Sequence, residues 1–274
     1  MYLKKGERFT VEELLYALML RSGNDAAVAL ALHTSGSVEE FVRKMNERTA
    51  LMGLKDTKFV NPHGLHDENH YTTAYELALI AAEGLKNPHF KRIVSTKNIV
   101  IDGEGHEKRY FANKNKILYN YEGATGVKTG FTRDSGRCLI ASAERNGMEV
   151  VAVALNYYDY FELTARLMDE AFGNFEMKEV VSPDTVYKKV PVRGNRKIKE
   201  AELRAEFSRK YPLKKDGSEM VETVVEAVDS IRAPHSSGDD VGSVKVFKDN
   251  RLIFEEKLYT IDIAKRGIFP LFDK

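Results

Sequence analysis

Two short polar triplets, about a hundred residues apart, contain the side chains best suited to chemistry. The first is Ser22-Gly23-Asn24, and the second is Lys128-Thr129-Gly130, which Phe131 follows. Together they offer a hydroxyl, a carboxamide, an ammonium group and backbone N–H groups. Acyl transfer uses such groups to move a proton, to polarise a carbonyl and to hold a carboxylate. The triplets therefore predict an acyl-transfer site if the fold brings them together, although each alone also fits a helix stop or a solvated strand.

Helices flank the first triplet. Thr10 and Glu13 are spaced as a capping box, and apolar residues then recur at helical spacing to about residue 20. Asn24 or Asp25 is placed to cap a second helix that ends near residue 36. The sequence therefore predicts that Ser22 lies on a turn between two helices.

Further helices and a sheet follow. Predicted capping boxes at Ser37 and Thr73 begin helices that run to about residues 51 and 85. The second triplet lies on a predicted strand, and Asn146-Gly147 is a hairpin signal after it. Strands are predicted at 97–101 and 108–111, around an Asp102–Gly105 turn, and at 123–131, 137–144 and 148–155, before a helix at 160–172. This order predicts an α+β fold in which a helical region packs on an antiparallel sheet.

The last hundred residues predict a separate, small all-β domain. Alternating apolar residues predict strands over Val180–Val192, Ser243–Phe247 and Arg251–Tyr259, with a loop at Pro234–Asp240. We therefore predict two domains, at residues 1–176 and 177–274.

Composition excludes some classes of function. The 42 basic and 41 acidic residues nearly cancel, which gives no general electrostatic reason to expect nucleic acid as a partner. No apolar run approaches the roughly 20 residues that a membrane-spanning helix needs. Cys138 is the single cysteine, so no intrachain disulfide forms, and its apolar strand predicts a buried, inert thiol. Met1 is not followed by the apolar stretch of a signal peptide.

The triplets, their order and the segment between them resemble one enzyme family. Ser22-Gly23-Asn24 and Lys128-Thr129-Gly130 match the Ser-x-Asn and Lys-Thr-Gly motifs of penicillin-binding proteins and class A β-lactamases. The stretch from Phe59 to Ala78 is similar to that of serine-type D-alanyl-D-alanine carboxypeptidases, the low-molecular-mass penicillin-binding proteins of peptidase family S11. A looser likeness at Ala233-Pro234 and Gly238–Gly242 extends the resemblance into the C-terminal domain. The resemblance implies a β-lactamase/transpeptidase-like fold.

This resemblance implies a role for each site residue. Ser22 would relay a proton toward the leaving D-alanine, with the Lys128 charge close by, and Asn24 would hydrogen-bond the substrate amide. Thr129 would bind the terminal carboxylate. Gly130 would let the strand approach the substrate, and the N–H of Phe131 would form part of an oxyanion hole.

The family also uses a Ser-x-x-Lys motif, which supplies the nucleophile and its base. No serine of this sequence has a lysine three positions later. We therefore expect that the N-terminal segment with this motif is missing and that the chain alone is inactive. Two alternatives stay open: a non-catalytic peptidoglycan-binding protein, or a fragment that needs a separate N-terminal piece.

The resemblance further implies partners and a location. The substrate would be a peptidoglycan stem peptide ending in D-Ala-D-Ala, and β-lactams would bind the same site. No cofactor is implied. The family acts outside the cytoplasmic membrane, where a C-terminal amphipathic helix often provides peripheral attachment; the final residues, Phe269–Lys274, do not predict such a helix.

Residues near the triplets offer other candidate sites. His63, His66 and His70 have a spacing that suits zinc, but their turn-rich loop and the family resemblance favour no metal. Arg133 and Arg137 follow the second triplet and would assist carboxylate binding or, as the sequence favours, form exposed salt bridges.

Overall fold

The computed structural model describes residues 1–102, 105 and 107–264, and it divides the chain into two compact units. The first unit comprises Met1–Gly173, and the second begins at Asn174. The predicted domain boundary at 176/177 lies three residues from this division. The C-terminal residues Phe269–Lys274 lie outside the described residues.

Helices dominate the first unit. They are α1 (Val11–Arg21), α2 (Asn24–Ser35), α3 (Val38–Leu51), α4 (Ala74–Leu85), α5 (Pro88–Ser95), α6 (Ile117–Asn120) and α7 (Tyr160–Asn174). The predicted helices correspond to α1–α4 and α7. The sequence analysis did not predict α5, although Asn87 caps it and Pro88 occupies its first turn, nor the single turn of α6.

The helix caps correct part of the sequence analysis. At α1, Thr10 accepts from the N–H of Glu13 and the Glu13 carboxylate accepts from the N–H of Thr10, so this capping box is complete. Ser37 and Thr73 accept from N–H groups of α3 and α4, but no return bond is present in the described helices. The N-cap of α2 is Gly23, without a side-chain hydrogen bond, so the predicted cap by Asn24 or Asp25 is wrong.

Antiparallel strands make up the rest of the first unit. They are β1 (Asn98–Ile101), β2 (Arg109–Ala112), β3 (Ala124–Thr132), β4 (Gly136–Arg145) and β5 (Met148–Ala154). β1 and β2 form the predicted hairpin. Gly103 and Glu104, in its predicted turn, lie outside the described residues. The other three form a sheet in the order β3-β4-β5, and Asn146-Gly147 forms the β4–β5 turn with positive φ at both residues, as predicted.

Buried apolar clusters hold α1 and β3 in place relative to one another. One cluster joins α1, α2, α5 and the β1–β2 hairpin through residues such as Leu20 and Phe111. A second joins α4 and α5 to β3 through Leu85, Val94 and Val127. Because α5 contributes to both clusters, it connects the C-terminal end of α1 to the strand that carries the second triplet.

The second unit is all-β in its described part. Its strands are β6 (Phe175–Val181), β7 (Lys188–Arg193), β8 (Glu200–Ala205), β9 (Arg209–Lys214), β10 (Glu222–Ala227), β11 (Ile231–Arg232), β12 (Gly242–Lys248) and β13 (Arg251–Tyr259). They form a sheet in the order β10-β12-β13-β8-β7-β11 and the pair β6-β9. The predicted continuous strand over Val180–Val192 is wrong, because a turn around Pro183 separates β6 from β7. In the described part of the whole chain, no helix has the length and apolar character to cross a membrane.

Candidate functional site

Ser22 occupies a tight turn between α1 and α2. Its backbone adopts the left-handed conformation, with φ 58° and ψ 49°, which is uncommon for a residue with a Cβ. The turn is held by hydrogen bonds from the N–H of Ser22 to Leu18 O (2.9 Å) and from the N–H of Gly23 to Ala17 O (3.2 Å). Because this conformation is costly for a residue with a Cβ, the surrounding fold must stabilise it.

Lys128 extends from β3 to this turn. Its Nζ donates to Ser22 Oγ and to the carbonyl oxygen of Thr129 (2.8 Å). The two triplets, 106 residues apart between Ser22 and Lys128, therefore meet through a direct side-chain hydrogen bond.

The electrostatic surroundings of Lys128 favour its neutral form. Burial disfavours the ammonium group, and the positive charge of Lys114 adds to the effect, so the pKa of Lys128 falls from 10.5 to about 8. A lysine with such a pKa exchanges protons readily near neutral pH, as a proton relay requires.

A cavity of about 550 Å³ brings the predicted site residues together. Its walls include Ser22, Asn24, Lys128, Thr129, Gly130 and Phe131, which are all six residues that the sequence analysis selected. Asn24 and Gly130 are exposed, and 68% of the Phe131 surface is accessible. Of the described strands, only β4 pairs with β3, so the other edge of β3 is open to a ligand backbone.

Lys114 is a cavity residue that the sequence analysis missed. It lies between Asn113 and Asn115, both buried, and its N–H donates to Leu20 O (3.2 Å). The Asn113 amide donates to the carbonyl oxygens of Val94 (3.3 Å) and Thr96 (3.0 Å) and so fixes this segment. The sequence Asn113-Lys114-Asn115 was the signal that could have identified Lys114. When the amide side chains on both sides are buried, the side chain between them faces outward. Lys114 forms no ion pair with another described residue, so its charge is free to attract an anion.

The two arginines after the second triplet do not form the expected salt bridges. Neither Arg133 nor Arg137 has an ionic partner among the described residues, and both are exposed. The Arg137 guanidinium instead lies near the rings of Phe131 (5.8 Å) and Tyr160 (5.9 Å). Arg137 lines the 550 Å³ cavity, whereas Arg133 does not.

A second cavity, of about 440 Å³, lies along the same end of β3. Gly130, Phe131, His66, His70 and Cys138 are among its lining residues. Cys138 is partly exposed, so the prediction of a buried thiol is wrong: it lies at the start of β4, on the opposite face of the strand from the buried Leu139.

The histidine-rich loop is organised by local contacts. His70 packs against Phe59, with the ring centroids 5.5 Å apart, and burial lowers the pKa of both His63 and His70. In the part of the chain that the structure describes, no group of three or more His, Cys, Asp or Glu residues is placed to hold a metal ion.

The Ser22 turn also lines a third cavity, of about 880 Å³. Ser22, Asn24 and Lys114 line this cavity as well as the 550 Å³ cavity. Arg21, Arg109 and Tyr110 complete much of its polar wall. The Ser22 turn therefore lines two cavities that share wall residues.

A helical layer on an antiparallel sheet, with a serine and a lysine meeting beside the edge strand, defines the class of the penicillin-binding proteins. Solved structures agree. Penicillin-binding protein 5 from Haemophilus influenzae matches with a TM-score of 0.67 and 28% identity, over 96% of this chain and 77% of that one. A peptidoglycan synthesis regulatory factor (PBP3) from Streptococcus pneumoniae shares the fold, with a TM-score of 0.76, over 93% of this chain and 77% of that one.

Sequence comparison gives the family. The D-alanyl-D-alanine carboxypeptidase model of peptidase family S11 matches residues 1–158, and the model of the penicillin-binding protein 5 C-terminal domain matches residues 175–265. The D-alanyl-D-alanine carboxypeptidase DacF of Bacillus subtilis is 34% identical over the whole of this chain and 71% of its own length. DacA of Haemophilus influenzae is 31% identical over 98% of this chain and 69% of its own.

The chain therefore belongs to the D-alanyl-D-alanine carboxypeptidase family. The predicted family, the α+β fold with its all-β C-terminal part, and the carboxypeptidase function that goes with this membership are confirmed.

Proposed function

We propose that this chain supplies the proton-relay and substrate-binding walls of a site that removes the terminal D-alanine from peptidoglycan stem peptides. The observation that supports this most is the Lys128–Ser22 hydrogen bond at a cavity lined by all six predicted residues. The family membership gives the reaction, and the geometry gives each residue a place in it.

Ser22 and Lys128 form the proton-relay part of the proposal. Amide cleavage leaves an amine that must gain a proton, and Ser22 Oγ is placed to deliver one because it accepts a hydrogen bond from Lys128 Nζ. The lowered pKa of Lys128, about 8, suits transfer in both directions near neutral pH.

The other cavity residues hold the substrate. The open edge of β3 at Gly130 and Phe131 accepts the extended peptide as an additional strand, and the N–H of Phe131 donates to the carbonyl oxygen that develops charge. Asn24 hydrogen-bonds the substrate amide. Thr129 and the Lys114 charge bind the terminal carboxylate.

The nucleophile of the family mechanism comes from outside these 274 residues. No serine in them has a lysine at the third following position. Ser22 lines the 880 Å³ cavity, whereas Lys128, Thr129 and Gly130 do not, and we propose that the Ser-x-x-Lys segment enters there. Its serine would then reach the shared wall formed by Ser22 and Asn24.

The experiment fuses the Ser-x-x-Lys segment of DacF to this chain and measures D-alanine release from a peptide ending in D-Ala-D-Ala. The matched control carries Ala in place of that serine. The fused protein should release D-alanine and should lose roughly 100-fold or more of its rate when Lys128 becomes Ala. The proposal would be contradicted if a folded fusion protein releases no D-alanine, or if Lys128→Ala leaves its rate of D-alanine release unchanged.

The same proposal implies which inhibitors bind the site and where the enzyme acts. β-Lactams would acylate the completed site, and the enzyme would act outside the cytoplasmic membrane, with peripheral membrane attachment of the full-length protein. A non-catalytic, peptidoglycan-binding role is the second candidate, which the lack of a Ser-x-x-Lys serine favours. Binding of muropeptides without turnover, even after fusion, would select it.

A further inference from the structure

The pairing of Ser22 with Lys128 has a consequence beyond proton relay. We propose that Ser22 is itself a nucleophile, with Lys128 as its general base, and that this chain alone is acylated by small activated esters. This activity uses the same cavity as the proposed carboxypeptidase reaction but does not depend on a Ser-x-x-Lys serine.

Ser22 and Lys128 are in contact, as a nucleophile and its base must be. A serine–lysine pair activates a hydroxyl when the amine is neutral, because the nitrogen lone pair then accepts the hydroxyl proton. Lys128 Nζ contacts Ser22 Oγ, and a bond to Thr129 O (2.8 Å) uses a second position on the nitrogen. In the structure Nζ donates to both oxygens. Once Lys128 has lost its proton, the neutral amine would still donate to Thr129 O and would accept from Ser22 Oγ.

The backbone of Ser22 forms a strained turn. α/β-Hydrolases place their nucleophilic serine on a sharp, strained strand-to-helix turn, so that the hydroxyl is exposed. Ser22 lies on a helix-to-helix turn, so it shares with them only the strained backbone before a helix. Ser22 has a left-handed backbone at a turn that leads directly into α2, and it lines both the 550 Å³ and the 880 Å³ cavity. Small substrates therefore have access to Ser22 Oγ.

Charged and polar groups lie around Ser22 and Lys128. The pKa of Lys128, lowered by burial and then by Lys114 to about 8, provides the neutral base at mildly alkaline pH. The Asn24 amide is exposed and makes no hydrogen bond to another described residue, and Lys114 adds a positive charge. Both stabilise a developing oxyanion. The other titratable groups on the walls of these cavities are the Met1 amino group, Tyr2, Arg21, Asp25, His63, Arg109, Tyr110, Arg137 and Tyr160.

The reaction balances without a cofactor. Ser22 Oγ attacks the ester carbonyl carbon while its proton passes to Lys128 Nζ. The bond between the carbonyl carbon and the leaving alcohol breaks, and the alcohol oxygen takes the proton from Lys128. Water then attacks the carbonyl carbon of the Ser22 ester while Lys128 Nζ accepts a proton from it. The bond from the carbonyl carbon to Ser22 Oγ breaks, and Lys128 returns the proton to Oγ.

A fluorophosphonate tests the proposal because it marks nucleophilic serines permanently. Ser22 Oγ would form the O–P bond as the P–F bond breaks, with fluoride leaving and the proton on Lys128. Intact mass should show one label for each chain, and peptide mapping should place it on Ser22. The labelling rate should rise with pH through about 8 and then level.

Variants separate this reaction from background labelling. Ser22→Ala should abolish labelling, and Lys128→Gln should slow it roughly 100-fold. Ser35→Ala is the matched control, because Ser35 Oγ also accepts from a lysine, Lys44 (3.2 Å), but on an exposed helix surface. Lys114→Gln leaves Ser22 and Lys128 unchanged but removes the positive charge that lowers the pKa of Lys128. The pH at which the labelling rate is half-maximal should therefore rise.

Three outcomes would overturn the proposal. They are the absence of a label at pH 9, a label on another serine, and an unchanged labelling rate in a Lys128→Gln variant whose circular dichroism shows that it is folded. None of these affects the carboxypeptidase proposal, since D-alanine release by the fused protein uses a different serine. Conversely, labelled Ser22 in a fused protein that releases no D-alanine would support this inference alone.

Discussion

Lys114 and Lys128 line the same cavity although both carry positive charge when protonated. Burial of Lys128, reinforced by Lys114, lowers the pKa of Lys128 to about 8. The fold thus holds an ammonium group where it is less stable than in water. Proteins keep such groups chiefly where function requires them, and replacing them is a recognised route to higher stability.

We therefore expect Lys128→Met to stabilise the protein while removing activity. The fall in the Lys128 pKa from 10.5 to about 8 corresponds to roughly 3 kcal/mol, so the gain at pH 7 should be about 1–3 kcal/mol once the lost hydrogen bond is counted. Urea unfolding of both proteins at pH 7 measures it.

The gain should depend on pH in a defined direction. Between about pH 8 and 10.5 the unfolded chain binds a proton at Lys128 that the folded protein does not, so the stability of the unmodified protein rises with pH. The difference between the two proteins should therefore be constant below pH 8 and should shrink above it. A difference that grows between pH 8 and 10 would mean that Lys128 is not a buried cation.

Gly130→Ala should impair substrate binding without loss of fold. A Cβ at this position would meet only the Cys138 Cβ, at 3.5 Å, which is an ordinary contact. The methyl group would nevertheless enter the wall shared by the 550 Å³ and 440 Å³ cavities. In the fused enzyme we expect a several-fold higher KM with a melting temperature close to that of the unmodified protein.

The matched comparison is Gly126→Ala, four residues earlier on β3. Its Cβ would lie 2.9 Å from Val94 Cγ2, inside the cluster that joins α5 to β3, so this variant should lose thermal stability. If Gly130→Ala destabilises the protein as much as Gly126→Ala does, Gly130 serves packing rather than substrate approach.

Glu76 should contribute stability that is lost in acid. Its carboxylate accepts from the Thr57 hydroxyl (2.5 Å) and from the N–H groups of Asp56 (3.0 Å) and Lys55 (2.8 Å), which hold the base of the histidine-rich loop. The Thr57 bond, with the two N–H groups, lowers the pKa of Glu76 against the opposing effect of burial. The stabilisation is therefore present above about pH 4.5 and lost as the pH falls below it.

Glu76→Gln tests this directly. The amide presents one acceptor oxygen and no charge, so the variant should melt at a lower temperature at pH 7, and the gap should narrow below pH 4.5. Glu170→Gln, an exposed position on α7, is the control and should leave the melting temperature unchanged. Equal melting temperatures for Glu76→Gln and the unmodified protein at pH 7 would contradict the assigned role.

The sequence predicted the elements that local patterns determine. The Thr10–Glu13 box located α1, and Asn146-Gly147 located the β4–β5 turn, because each depends on neighbouring residues alone. The strand break at Pro183 was missed, since an alternating pattern on both sides gave the appearance of one strand. The N-cap at Gly23 was missed because the side chains of Asn24 and Asp25 are usual caps, and only the Ser22 turn shows that they lie inside the helix.

The candidate site was predictable where it matched motifs and unpredictable where it depended on packing. The triplets at Ser22 and Lys128 pointed to the cavity, but their contact depends on α5, which the sequence analysis did not predict. Lys114 was missed because its position depends on the buried Asn113 and Asn115, which resemble ordinary loop residues in the sequence.

Cys138 should react with iodoacetamide in the native protein. Its side chain is partly exposed and lines the 440 Å³ cavity beside Gly130 and Phe131. Because Cys138 is the only cysteine in the sequence, intact mass spectrometry should show a single carbamidomethyl group, and Cys138→Ser should show none. A peptide ending in D-Ala-D-Ala, bound along β3, should slow the reaction several-fold, since Gly130 and Phe131 line both the cavity of this thiol and the 550 Å³ cavity. If Cys138 reacts only in denaturant, the thiol is buried, as the sequence predicted. If a peptide bound along β3 does not slow the reaction, the 440 Å³ cavity is not part of the substrate-binding site.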